Sequence, residues 1–234
     1  MDNRKNWTSQ QNELRLLLNS KSHFEQAIPL FLQQHAAVHA ASLSGAPCWS
    51  LYDEVLAGLT DQQIKTVPRS GLNSIAWLLW HITRIEDLSI NFLVLEQPQV
   101  LQNAGAAWLP RLGLASPDMG ASMDEGEVLE LSDRICVPAL KEYREAVGRS
   151  TCAGVVRLQA AQLKQVIPDV AIQQLRDEGS ISRKGEWLAE YYTGRTKGFF
   201  LTRTATSHNF IHLNEAGRVR AKLLRPINLK QNPF

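Results

Sequence analysis

Two histidines four residues apart, His208 and His212 in the run SHNFIHLNEAGRVR, carry the clearest chemical signal in the chain. On an α-helix that spacing brings two imidazoles to one face, one turn apart, where both can bind a single ion. The same face carries Leu201, Ala205, Val219 and Leu223, so the pair points toward a core. Glu215, three residues on, shares the face and could be a fourth ligand or could orient a histidine. A third candidate, His81, sits inside the tryptophan-rich run SIAWLLWHITRIEDLSINFL. At about 100° per residue, Ser74, Trp77, Leu78, Ile85, Leu88, Phe92 and Leu95 fall within about 60° of it, so this imidazole also turns inward. A neutral core histidine bonded to a neighbour would explain any one of these residues. Burying three without partners would be costly, which favours a shared ligand.

Three neutral histidines leave a coordination position open, as a catalytic metal site does and a closed structural one does not. A divalent ion there lowers the pKa of a bound thiol or water and supplies a nucleophile at neutral pH. A second pair at the same spacing, His35 and His39 in QHAAVHAA, competes with this assignment. It could replace or supplement the ligands, contact a substrate, or occupy a polar edge of the first helix. Trp77, Trp80, His39 and Glu215 are candidate pocket residues. Arg84 with Glu86 and Asp87 reads as a solvated or capping face, the two acids having an alternative role in orienting a ligand. His23, near a helix start, is assigned no role.

The elements that must position these residues are helical. Phe24, Ile28, Phe31, Leu32 and Val38 predict a first helix over Ser22 to Leu43, which Pro29 kinks or shortens. LTDQQIKTVP predicts a short helix capped by Thr60 with Gln63. The helix bearing His81 begins at Asn73 or Ser74 and stops near Gln97-Pro98. Residues 97–121, punctuated by Gly and Pro, read as a long surface connection. Ser122 with Glu125 suggests a capping box for a helix reaching Val147, kinked or broken at Pro138. Residues 150–195 hold short helical pieces at 158–166, 170–176 and EWLAEYY, and a last helix runs from Lys197 to Leu224 before Pro226. The pattern is all-α: an up-and-down four-helix bundle with additional short helices and long connections. It reads as a single domain over 1–234, its core at 22–224 between polar N- and C-terminal tails.

Composition narrows the function classes. With 44% hydrophobic and 21% charged residues the chain can build an ordinary core. A net charge of +2 without a Lys/Arg run excludes a phosphate-binding surface, so no nucleic acid is expected. No signal-peptide or membrane-spanning stretch is legible, and the three scattered cysteines suit a reducing compartment. The chain reads as cytoplasmic, without a membrane partner.

The SIAWLLWHITRIEDLSINFL run, the later SHNFIHLNEAGRVR pair and the short LTDQQIKTVP segment together resemble the DinB-like superfamily of metal-binding helix bundles. That resemblance implies a four-helix bundle with zinc or nickel held by three histidines, here His81, His208 and His212. It also implies kinship with thiol-dependent transferases and maleylpyruvate isomerase, which use low-molecular-weight thiols, and it allows a homodimer. The partner expected is a small-molecule substrate or thiol. Two function classes follow: metal-dependent thiol transfer or hydrolysis, and a non-catalytic metal-binding or stress-response protein. The insertions at 97–121 and 150–195 and the extra pair His35/His39 depart from the family pattern.

Overall fold

The computed structural model describes residues 2–20, 22–45 and 47–225, and its regular elements are helical. An isolated antiparallel bridge between Val166 and Thr196 is the β pairing found among the described residues. None of the described helices is long and apolar enough to cross a membrane.

The N-terminal stretch, expected as a polar tail, forms α1 (Asn3–Asn19), capped by the Asp2 carboxylate, which accepts from the N–H groups of Arg4 and Lys5. A narrow stripe of Trp7, Gln11, Leu14 and Leu18 is buried against α2 (Phe24–Ala36). Charged and amide residues around that stripe hide its period. The second helix is shorter than expected and passes through Pro29, while the chain beyond it turns into a 3-10 segment at Ala41–Ser44. Ser50 caps α3 (Leu51–Leu56), and the Thr60–Gln63 capping box opens α4 (Asp61–Lys65) as anticipated.

Ser74 caps α5 (Ile75–Glu86) by accepting from the Trp77 N–H. This helix continues through wider π-helical turns over Asp87–Val94. The connection at 97–121 is not a surface loop. It carries a 3-10 turn at Val100–Gln102 and α6 (Trp108–Leu112), and it buries Leu101, Trp108, Leu112 and Met119. Its anchor is Asp87, whose carboxylate accepts from the backbone N–H groups of Val100 (2.8 Å) and Leu101 (3.0 Å).

Asp124 with Glu127, rather than Ser122 with Glu125, makes the capping box of α7 (Glu125–Arg134). The chain then breaks at Ile135 and Cys136 and restarts as α8 (Val137–Val155). Pro138 lies in the first turn of that helix, where its missing N–H removes no helical bond. After α9 (Asp169–Asp177) and α10 (Glu186–Tyr192) comes a continuous rod: α11 (Lys197–Thr202), π-helical turns at Arg203–His208, and α12 (Asn209–Leu223). Pro226, expected to end it, lies outside the described residues.

α5 packs on α4, α7, α8 and α12 and links two apolar clusters. One surrounds its first half, Ile75 to Ile82, and the other gathers α1, α2, α9, α10 and α11 around Ile85 to Val94. At the join the helix carries His81, Thr83, Arg84, Glu86 and Asp87, all buried. The expectation of a solvated face at Arg84, Glu86 and Asp87 is therefore overturned.

Candidate metal centre

His81 of α5 meets His208 and His212 of the last rod. Ring centroids are 5.0 Å apart for His81–His208, 5.2 Å for His81–His212 and 4.5 Å for His208–His212. One ring nitrogen of each lies within 4.8 Å of the others, close enough to share an ion. Two rings are aimed by fixed partners. His81 Nδ1–H donates to the Met119 carbonyl at 2.8 Å, which frees Nε2 as a lone pair, and Trp77 stacks on the same ring at 5.0 Å. His212 Nδ1 pairs with Glu215 Oε2 at 3.0 Å. Backbone carbonyls and carboxylates behind imidazoles are the usual means of fixing the tautomer of a metal ligand.

Electrostatics keep two of the rings, His81 and His208, neutral. Burial, then repulsion from His212, pushes His81 down to about 4. Burial and the other two rings hold His208 well below its ordinary value. His208 Nδ1 is buried without a hydrogen-bond partner, an orphaned polar atom that costs free energy unless a ligand uses it. The residues present thus fit a three-histidine ion.

The trio opens on a cavity of about 530 Å³, walled further by Trp77, Trp187, Tyr191, Tyr192 and Arg203. Its size suits a small molecule. Three of these aromatic walls, Trp187, Tyr191 and Tyr192, come from α10, in a region of weak helical signal.

A family model described as DinB superfamily matches residues 47–216. The chain belongs to the DinB superfamily. No curated protein matches it. Membership covers α3 through most of α12, and so includes all three histidines of the cluster; α1 and α2 lie before the matched span.

His35 and His39 do not join this centre. They form a second group with Glu86, in which His35 Nε2 approaches Oε1 at 2.7 Å and His39 Nε2 approaches Oε2 at 2.8 Å. Thr151 Oγ1 donates to Oε1 at 2.8 Å and Asn209 Nδ2 to Oε2 at 3.0 Å, so the buried carboxylate accepts four hydrogen bonds. Burial would push His35 down, but the Glu86 carboxylate and the contacts with Cys152 and Glu86 carry it up to about 10. Burial and the Arg144 guanidinium instead push His39 down to about 3. One imidazolium and one neutral imidazole therefore share one carboxylate. With the four acceptor sites of the carboxylate filled and Arg144 alongside, this group forms a polar lock between α2, α5, α8 and α12, although His39 Nδ1 is buried without a partner.

Sequence reasoning did not assign Glu86, Thr151, Asn209 or Arg144 to this lock. The available signal was a glutamate inside an otherwise apolar helix face, a position that requires partners when buried. Trp80, proposed for the pocket, instead donates from Nε1 to the Asp118 carbonyl at 3.0 Å and fixes the 97–121 connection.

Proposed function

We propose that this member of the DinB superfamily is a divalent-metal-dependent enzyme acting on small molecules, by transfer of a low-molecular-weight thiol or by hydrolysis. The observation that carries this reading is the convergence of His81, His208 and His212 on one cavity of about 530 Å³. Zinc or nickel suits three neutral imidazoles. When bound, such an ion acidifies a thiol or water. The chain's own residues do the rest. Met119 and Glu215 hold the two outer rings in one tautomer, Trp77 fixes the plane of His81, and the aromatic wall excludes bulk water.

Metal analysis tests the site. The wild type should carry one equivalent, His81→Ala and His208→Ala none, and His35→Ala one if it folds. Metal retained by the first two variants would sink this assignment. Turnover with a panel of thiols and electrophiles then separates the enzyme from a non-catalytic metal-binding protein, which would show none.

A further inference from the structure

The cavity beside the three histidines carries on its wall the charge of an exposed arginine. Arg203 lies on its wall and makes no hydrogen bond or ion pair with any described residue. No aspartate or glutamate lines the cavity.

Its place on the wall follows from the π-helical turns. In a regular α-helix Arg203 would lie about 140° around the axis from His208. The i→i+5 bonding of Arg203–His208 closes part of that angle, and Arg203, Thr204, His208 and His212 all face one space. The wider turn also frees carbonyls, and Asn209 answers them. Its Nδ2 donates to Thr204 O at 3.1 Å and Ala205 O at 3.0 Å, as well as to Glu86. The irregular turn is therefore held in place by the buried lock.

Much of the remaining wall is flat and aromatic. Trp77 is buried and stacked on His81, Tyr192 is buried, and Trp187 stands 53% exposed at the rim. Trp187 Nε1 donates to Ser122 Oγ at 3.0 Å, which fixes the indole where packing alone would not. A large aromatic held half in water beside a cavity serves a ligand better than a core.

We infer that this cavity takes an anion with a flat apolar body, the body lying against Trp77, Trp187 and Tyr192 and the charge reaching Arg203. The inference rests on the proposed function for the site's position and names its substrate class. The anion is a carboxylate or a phosphate, both of which a guanidinium binds through paired N–H groups.

Benzoate, phenyl phosphate, benzamide and acetate serve as probes, titrated into purified protein by tryptophan fluorescence, with metal content measured on the same samples. One of the two aromatic anions should bind roughly tenfold or more tightly than benzamide and than acetate, and the better of the two names the anion. Arg203→Gln should remove that preference while leaving benzamide affinity, metal content and the melting curve unchanged. Equal binding of benzamide and both anions would overturn the inference, as would acetate matching benzoate or a preference that survives in Arg203→Gln. The two readings separate cleanly. An arginine-dependent preference in protein without metal leaves this inference standing and sinks the metal centre; one equivalent of metal with no preference does the reverse.

Discussion

At the scale of single residues, the quality of the three-histidine group depends on what stands behind each ring. His81 has a backbone carbonyl and His212 a carboxylate, so these two lone pairs are aimed before any ion arrives. Glu215 is itself held below the usual carboxylate range, first by its hydrogen bond with His212, and so stays an anion that strengthens the ring as a donor. Glu215→Ala should therefore keep the fold and weaken metal affinity by about 10- to 100-fold. Competition with a chelator of known affinity measures this. Unchanged affinity would mean that Glu215 is only a helix-surface partner of His212. His208, with no such partner, depends on its place on the π-helical turns and on packing alone.

At the scale of elements, the two irregular helical stretches shape the site. The π-helical turns of the last rod turn Arg203 toward the histidines, and Asn209 joins them to Glu86 through one amide. Asn209→Ala takes one of two hydrogen bonds from Glu86 Oε2, which keeps His39, and removes the side-chain donor from the Thr204 and Ala205 carbonyls. It should lower stability by about 1–3 kcal/mol, read from the urea midpoint, with helical content retained. A midpoint within error of wild type would show that regular α-helical bonding replaces the wide turn at no cost. Local rules made much of this architecture legible. Thr60 and Ser74 cap where their spacing says they should, and His81, His208 and His212 share inward faces because α-helical phase is fixed by geometry. What escaped was set by distant contacts. The 97–121 connection has no period of its own, yet Asp87, Arg84 and Trp80 draw it into the core, where the Met119 carbonyl becomes the anchor of His81. The α1 stripe was hidden by polar neighbours, whereas Pro138, read as a kink or a break, does mark a break, which falls at Ile135 and Cys136 just before it. Neither π-helical stretch has a spacing signature. Arg203 consequently stayed out of the candidate pocket.

At the scale of the whole molecule, two apolar clusters meet along α5 through a belt of buried charge, and that belt makes stability depend on pH in both directions. His35 holds its proton to about 10 in the folded protein against an ordinary 6.5. Its contribution is complete below pH 6.5 and fades as pH climbs toward 10, because the unfolded chain sheds that proton first. His39, pushed to about 3, and His81, pushed to about 4, act in the opposite sense. Below pH 6.5 the unfolded chain takes up protons that these folded rings refuse, so acid draws the protein toward unfolding. Glu86, held well below its ordinary value by its two histidines despite its burial, adds to the acid loss once pH falls under 4.5. Metal-free protein should therefore be most stable near neutrality. Glu86→Gln tests the alkaline side, because it removes the anion that keeps His35 charged. The variant should lose about 3–5 kcal/mol at pH 6.5, where a buried pair is broken, and should then change less than wild type between pH 6.5 and about 9. Urea midpoints at those two values measure both effects. Parallel losses in the two proteins would show that the alkaline decline belongs to surface lysines and tyrosines, and that the His35–Glu86 pair adds nothing to the hold between the two clusters.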